Sequence, residues 1–135
     1  MTDIKIFNPD GLSRPMSPYM QVAYAESQKF VFIAGQTSID ASGATVGKND
    51  FEAQCAQVFG NIHIALRSVN ADWKNVVQFT SYLVRPQDGA AFRAYRGREF
   101  PKLFPNGAYP PNTLLIISRL ADEAYLLEVQ AVAAL

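Results

Sequence analysis

The pattern of hydrophobic and polar positions predicts a chain that alternates between strands and helices. Short alternating or fully apolar runs indicate strands, and apolar residues at spacings of three and four indicate helices. The predicted strands cover residues 4–7, 20–24, 30–34, 76–84, 113–118 and 125–133, and the predicted helices cover residues 51–69 and 88–103. We expect the second and third strands to pair through a turn at 26–29, and a polar turn at 121–123 to join the last two strands.

The first helix gives the clearest signal, because its apolar residues form one continuous stripe. The stripe consists of Phe51, Cys55, Val58, Phe59, Ile62, Leu66 and Val69. Asn49, with Glu52 three residues later, predicts a capping box at the start of this helix. The second helix contains Gly97, which weakens a helix by about 1 kcal/mol relative to alanine, and it ends before residues 105–107.

The order of the elements predicts an α+β fold with two helices on one face of a sheet. Residues 31–34 and 114–117 are apolar at successive positions, so these strands carry hydrophobic side chains on both faces. Two helices cover one face, and no predicted element remains for the other. We therefore expect identical subunits to cover the second face, which makes the protein a homo-oligomer.

Composition places the chain among ordinary folded domains. Its length of 135 residues suits one domain, and no repeat or change of composition divides residues 1–135. A hydrophobic fraction of 49% excludes native disorder, and 12 basic residues balance 12 acidic ones, so neither nucleic acid nor membrane is favoured as a partner. One Cys and one His exclude an internal disulfide and a zinc site of the usual His and Cys type.

The opening segment, residues 1–15, contains no long apolar stretch of the kind found in a signal peptide or a membrane anchor. The single cysteine, Cys55, is consistent with a reducing compartment. We expect a cytoplasmic protein.

Several features that resemble catalytic motifs are better explained as structure. Residues 43–48 fall one residue short of a phosphate-binding loop and predict a turn. Cys55 lies on the apolar stripe and is expected in the core, and His63 has no second ligand at metal-binding spacing. The basic residues of the second helix are expected to form a solvated face: Arg93, Arg96, Arg98 and Lys102.

Glu128 is the most informative charged residue, because it lies in the almost apolar strand at 125–133. An ionised carboxylate in such a strand loses solvation unless it is paired. One interpretation is an edge or interface residue that bonds an arginine or a backbone amide. The other is a general acid or base in a polar pocket shared with Gln130, two residues later on the same face.

Taken together, several segments resemble the RidA/YjgF family of reactive-intermediate deaminases. They are residues 18–21, residues 32–36 with Asp40, Asn61-Ile62, Val76-Val77 and residues 127–133. The resemblance covers nearly the whole chain in the same order. It implies a chorismate-mutase-like α+β fold with a mixed sheet, assembled as a homotrimer whose sheets face inward and leave three clefts between subunits.

The resemblance also implies a chemistry. Active members of the family are hydrolases that convert imines and enamines into a carbonyl compound and ammonia, with no metal or cofactor. Glu128 matches the glutamate that positions the attacking water, Tyr19 matches a tyrosine that lines the pocket, and Gly35 with Gln36 matches the strand-end motif.

One residue of the family pattern is absent, namely the arginine that binds the substrate carboxylate. Its segment here contains Asn112, whose neutral amide replaces a charged guanidinium fork. Arg14 and Arg119 are candidates to restore the lost charge in the cleft.

Two functions therefore stay open. In the first, Glu128 is the general base of a deaminase, and Asn112 hydrogen-bonds the polar end of a small imine, enamine or carbonyl metabolite. In the second, the same cleft belongs to a non-catalytic metabolite-binding or regulatory trimer. A ribonuclease activity is disfavoured, because the sequence contains neither a histidine pair nor a basic groove.

Overall fold

A computed structural model describes residues 2–135, which form six strands and two long helices. Met1, the first residue of the opening segment, lies outside the described residues. The strands are β1 (Asp3–Phe7), β2 (Val22–Glu26), β3 (Phe30–Gln36), β4 (Val76–Leu83), β5 (Asn112–Ile116) and β6 (Leu127–Ala134), and the helices are α1 (Phe51–Arg67) and α2 (Asp88–Leu103). The α+β class is confirmed, and every predicted element is present with its ends shifted by at most two residues.

Four strands form the main sheet in the order β3-β6-β4-β5, while β1 and β2 form a separate two-stranded sheet. The predicted pairing between the second and third strands is wrong. Instead, β2 pairs with β1, and β3 pairs with β6, where Phe30 lies opposite Ala134. The hydrophobic pattern identified each strand, but a run of apolar residues does not specify which other apolar strand it pairs with.

The last two strands are joined through a turn at residues 121–124, as predicted, but they are not neighbours in the sheet. Strand β5 runs parallel to β4, with Phe79 opposite Asn112 and Leu83 opposite Ile116. Parallel neighbours need a crossover connection, and α2 provides it between β4 and β5. The chain then passes from the β5 edge to β6, which lies antiparallel between β3 and β4. The sheet is therefore mixed, as the family resemblance implied.

The start of α1 differs from the predicted capping box by one residue. Asp50 is the N-cap, and its side chain accepts a hydrogen bond from the backbone N–H of Ala53 at 3.0 Å. Asn49 has φ of 58°, in the left-handed region that asparagine tolerates better than most residues. This conformation turns the chain before the helix, so the cap falls on the next residue.

The core lies between the two helices and one face of the main sheet. Phe59 of α1 is its centre, with ring centroids 6.0 Å from Phe79 of β4 and 5.6 Å from Phe100 of α2. Phe92 lies about two turns before Phe100 in α2, and its ring stacks on Phe59 with the centroids 6.3 Å apart. Each fully buried phenylalanine stabilises the fold by about 1.5–3 kcal/mol, so this cluster fixes both helices on the sheet.

The opposite face of the main sheet is uncovered within one chain. On β4, Phe79, Ser81 and Leu83 are buried beneath the helices, so the intervening residue Tyr82 points to the other face. Phe32 of β3 is 78% exposed. We call this uncovered side of the β3-β6-β4-β5 sheet the open face. The exposed Phe32 agrees with the expectation that residues 31–34 carry hydrophobic side chains on both faces of the sheet.

The helices are short compared with a bilayer. Within residues 2–135, no helix combines the length and the apolar composition required to cross a membrane.

Cys55 provides a test of the packing of α1 against the sheet. Its side chain is 0% exposed, and burial raises the pKa of the thiol to about 12. We predict that the native protein does not react with iodoacetamide at pH 8, whereas the urea-unfolded protein is alkylated stoichiometrically. Alkylation can be followed by intact-protein mass spectrometry. Labelling of the native protein at the rate of a free thiol would contradict the burial of this helix face.

Candidate functional site

Glu128 lies on the open face, in the middle strand pair of the main sheet. It is opposite Tyr82 of β4, and Gln130 lies on the same face two residues further along β6. The Tyr82 hydroxyl donates a hydrogen bond to the side-chain oxygen of Gln130 at 3.2 Å. Glu128 itself is half-buried, and within residues 2–135 its carboxylate forms no ion pair with Lys, Arg or His. The carboxylate is therefore available to water or to a ligand.

Gly35 makes room for this carboxylate. A Cβ atom at Gly35 would lie only 2.7 Å from the carboxyl carbon of Glu128 and 2.8 Å from its Cγ. The pairing of β3 with β6 shifts between Ile33 and Gln36, which places this irregularity of the strand beside Glu128. The contact is with the side chain of Glu128, so a Cβ at this position would displace the carboxylate, and the φ angle of Gly35 is not in the left-handed region.

Gln36 continues from Gly35 into a shallow hollow next to α1. Its side-chain amide donates to the backbone oxygen of Ala34 at 3.0 Å. Asn61 of α1 holds the far wall of the hollow, because its amide donates to the backbone oxygens of Thr37 at 3.2 Å and Ile39 at 2.9 Å. The hollow has a volume of about 620 Å³ and is open to solvent in the single chain.

Asp40 belongs to the turn that closes the same hollow. Its carboxylate accepts hydrogen bonds from the side chain and backbone of Ser42 and from the backbone of Ala44. The Ser42 hydroxyl, followed by the Ala44 N–H, lowers the pKa of Asp40 below its usual value. This aspartate therefore stabilises the turn as an ionised acceptor.

Tyr19 and Asn112 lie together in a second pocket of about 230 Å³ between β5 and α2. The backbone N–H of Met20 donates to the oxygen of Tyr109 at 3.1 Å, which holds the Tyr19 loop against the protein. Asn112 is the first residue of β5, and its side-chain oxygen accepts a hydrogen bond from the buried hydroxyl of Ser81 at 2.7 Å. That bond leaves the amide N–H groups of Asn112 as its remaining donors. We call this cavity the β5–α2 pocket; its lining residues are Ser17, Tyr19, Gly89, Arg93, Arg96, Asn112 and Leu114.

Arg96 lines the β5–α2 pocket, and its predicted position on a solvated helix face is wrong. It was expected on a solvated helix face, but it is only 3% exposed, and its guanidinium lies over the ring of Phe92 at 4.3 Å. Burial, followed by the neighbouring charge of Arg93, lowers the pKa of Arg96 to about 10, so it stays protonated at neutral pH. The spacing of Phe92, Arg96 and Phe100 at four-residue intervals puts this arginine on the buried stripe of α2, and that spacing was the available signal.

The other basic residues of α2 agree with the prediction of a solvated face. Arg93, Arg98 and Lys102 are exposed. Arg98 forms an ion pair with Glu52 of α1, and Lys102 forms one with Glu99 at 2.8 Å.

The two groups of predicted site residues lie on opposite faces of the sheet. Ser81, which holds Asn112, faces the helices, whereas Tyr82, opposite Glu128, faces the open side. Neighbouring residues of a strand point in opposite directions, so a single chain keeps Tyr19 and Asn112 apart from Glu128. The structure thus joins Tyr19 with Asn112 and Gly35 with Glu128, whereas Gln36 lines the hollow beside α1.

The remaining candidate residues lie outside both groups. Arg14 is exposed in the irregular segment before β2 and does not line the β5–α2 pocket. Arg119 donates to the backbone oxygens of Leu120 at 3.1 Å and Ala121 at 3.4 Å, away from that pocket. His63 stacks on Trp73 at 5.3 Å, which is a packing role. Within residues 2–135, no group of three or more His, Cys, Asp or Glu side chains is arranged to hold a metal.

Comparison with known proteins identifies the family of the chain. Residues 12–135 match the family model described as endoribonuclease L-PSP. The chain belongs to the RidA/YjgF family. A RutC family protein of Pyrococcus horikoshii is 30% identical to it over 120 residues, which is 89% of each chain.

Solved structures of the RidA/YjgF family share the architecture described above. YyfB of Yersinia pestis, a protein of unknown function in the conserved Rid protein family, is 28% identical with a TM-score of 0.85 over 98% of each chain. RidA from an Antarctic Psychrobacter is 22% identical with a TM-score of 0.67, over 83% of this chain and 88% of that one, and at this identity it supports the fold alone.

Proposed function

We propose that this RidA/YjgF-family protein is a cofactor-free hydrolase of small imines or enamines, acting in clefts between the subunits of a homotrimer. The observation that carries the proposal is the close contact between the Glu128 side chain and Gly35. A carboxylate without an ionic partner is held on the open face, against a glycine whose missing side chain gives it space. A carboxylate bonded only for structural reasons would be expected to have its partner in the fold.

The position of Glu128 suits a general base. Water attacks the carbon of a C=N bond while Glu128 accepts a proton from that water and passes it to the nitrogen. The resulting amino alcohol then loses ammonia, so one imine and one water become one carbonyl compound and one ammonia. The neighbouring Tyr82 and Gln130 supply polar contacts on the same face.

Assembly of several copies supports this chemistry in two ways. Phe32 and its neighbours leave an apolar surface that a second copy would cover. In addition, the β5–α2 pocket with Tyr19 and Asn112 faces away from Glu128 in the same chain, so a cleft containing all three requires residues from two subunits. A cyclic trimer gives each subunit one such cleft with each neighbour.

The description of the family as an endoribonuclease points to a different chemistry, which the residues of this chain support less well. Its one histidine, His63, stacks on Trp73, and the formal net charge of the chain is zero. Binding to RNA depends mainly on Lys and Arg contacts with phosphates, and ribonuclease chemistry needs a second acid or base.

The first prediction concerns the catalytic role of Glu128. We expect Glu128→Gln to lower the rate of imine hydrolysis by about 100-fold or more, because the amide cannot accept the proton. The rate is measured as keto acid and ammonia released above spontaneous hydrolysis when an amino-acid oxidase generates the imine. Glu26→Gln is the matched control, since Glu26 is an exposed acid that bonds only Tyr24 on the β1-β2 hairpin. Equal rates for all three proteins, with ligand-dependent thermal stabilisation, would favour the non-catalytic binding trimer instead.

The second prediction concerns the space beside Glu128. Gly35→Ala should displace the carboxylate and lower the hydrolysis rate by about 100-fold, as expected for a base moved by about 1 Å, with little loss of folding. Gly97→Ala is the control, because a Cβ there meets nothing within 4 Å, and it should leave the rate unchanged while slightly stabilising α2. Full activity of Gly35→Ala would show that the close approach has no role in the reaction.

The third prediction concerns assembly. Phe32→Glu should convert the trimer into monomers and remove hydrolysis, because it places a charge on the exposed apolar part of the open face. Leu12→Glu, which changes an exposed hydrophobic residue outside the sheet, should remain trimeric. Sedimentation velocity at micromolar concentration measures both. A wild-type protein that sediments as a monomer would rule out the proposed clefts.

A further inference from the structure

We propose that a cavity between β1 and the C-terminal end of α2 is a second ligand site, which binds a small aromatic carboxylic acid. We call it the β1–α2 cavity. Its volume is about 230 Å³, and its apolar walls consist of Ile4, Ile6, Trp73, Val76, Leu103 and Phe104. The proposal goes beyond the hydrolase function, because none of the residues assigned to that function lines this cavity.

The inner part of the cavity is apolar. Trp73, Val76 and Phe104 are buried, and the ring centroids of Trp73 and Phe104 lie 6.1 Å apart. Ile4 and Ile6 are half-buried and line the cavity from the β1 side. An apolar cavity of about 150 Å³ can hold benzene, so the larger β1–α2 cavity has room for an aromatic ring with a short substituent.

The rim of the cavity carries an unpaired cation and free amide donors. Lys74 and Asn106 both line the cavity and are exposed. Within residues 2–135, no Asp or Glu forms an ion pair with Lys74, and the nearest acid along the chain, Asp72, pairs with Arg67. The Asn106 side-chain oxygen accepts a hydrogen bond from the backbone N–H of Ala108 at 3.1 Å, so its amide N–H groups remain to donate.

This polarity selects the class of ligand. An ammonium group and amide N–H groups are donors without acceptor capacity, and they match the oxygens of a carboxylate. Because the donors lie at the rim and the apolar side chains lie further in, the matching ligand has a carboxylate at one end and an apolar body at the other.

The wall that carries Trp73 and Lys74 is fixed in place before any ligand binds. Both residues belong to a short 3-10 helix in which the Asp72 side chain accepts from the Trp73 N–H at 2.8 Å. The Asn75 side chain accepts from the Asp72 N–H at 3.0 Å and donates to the backbone oxygen of Ala134 at 3.0 Å, which ties this helix to β6. A preformed wall lowers the entropy lost on binding.

The cavity is complete within one chain. Its buried residues Trp73, Val76 and Phe104 belong to the core beneath the helices, whereas Phe32, on which the proposed assembly depends, lies on the open face. A substitution that separates the subunits should therefore leave the cavity intact.

The test uses the fluorescence of Trp73, which is the single tryptophan of the chain and lines the cavity. The probes are phenylacetate and phenylacetamide, which have nearly the same shape and differ in charge. We expect phenylacetate to change the emission saturably and to bind about threefold to tenfold more tightly than phenylacetamide, because the amide lacks the charge that Lys74 attracts. Acetate, which has no apolar body, should cause no change at the same concentration.

A charge substitution tests the rim. Lys74→Met should reduce the affinity for phenylacetate to that for phenylacetamide. Lys102→Met is the matched control, because Lys102 is an exposed lysine that precedes Leu103 in α2 but does not line the cavity, and it should retain the preference. A preference that Lys74→Met leaves unchanged would overturn the role of this lysine and with it the proposed site.

Two substitutions that fill the cavity test its interior. Ala108→Leu should weaken both probes by about tenfold or more, while the melting temperature of the ligand-free protein stays the same or rises. Ile6→Phe fills the same space from β1 and decides the question if Ala108→Leu does not fold. Wild-type affinity in a folded variant with a filled cavity would overturn the proposal.

The remaining outcomes separate this site from the proposed hydrolase. Glu128→Gln and Phe32→Glu should bind phenylacetate as the wild-type protein does, whatever their effect on hydrolysis. Loss of binding in Phe32→Glu would place the ligand between subunits and contradict the proposal. Equal affinities for the two probes would contradict a carboxylate ligand, and binding seen by isothermal titration calorimetry without a change in Trp73 emission would place the ligand elsewhere.

Discussion

The organisation of this protein depends on the fact that its helices cover only one side of the main sheet. The aromatic cluster around Phe59 fixes α1 and α2 on that side, and β4 alternates between the two environments from one residue to the next. Ser81 consequently faces the core and holds Asn112, whereas Tyr82 faces the uncovered side with Glu128. This alternation decides which side of the sheet each polar side chain of β4 and β6 faces.

The two polar regions that result are complementary in charge. The open face holds the carboxylate of Glu128 beside Gly35, and Arg96 lines the β5–α2 pocket together with Tyr19. Neither charge forms an ion pair within residues 2–135. Buried or half-buried charges without partners lower the stability of a fold, and proteins commonly accept such a loss where a ligand binds.

This chain shares its fold with known relatives, while the residue at the start of β5 departs from the pattern of the family. YyfB of Yersinia pestis has the same architecture over nearly its whole length, so the placement of the strands and helices is common property of the family. Within that frame, a neutral Asn112 begins β5, and the charge of the pocket comes from α2.

The sequence alone determined the strands and helices, because hydrophobic periodicity depends on residues that are near one another in the chain. It identified α2 with its observed bounds, the core position of Cys55 and the polar character of Glu128 in an apolar strand. Only the tertiary structure decided that β3 pairs with β6, that Glu128 rests against Gly35, and that Arg96 is buried in a pocket. Those features depend on contacts between residues that are distant in the chain. A local pattern of apolar or basic residues is compatible with several strand pairings and helix orientations, and tertiary packing decides which one forms.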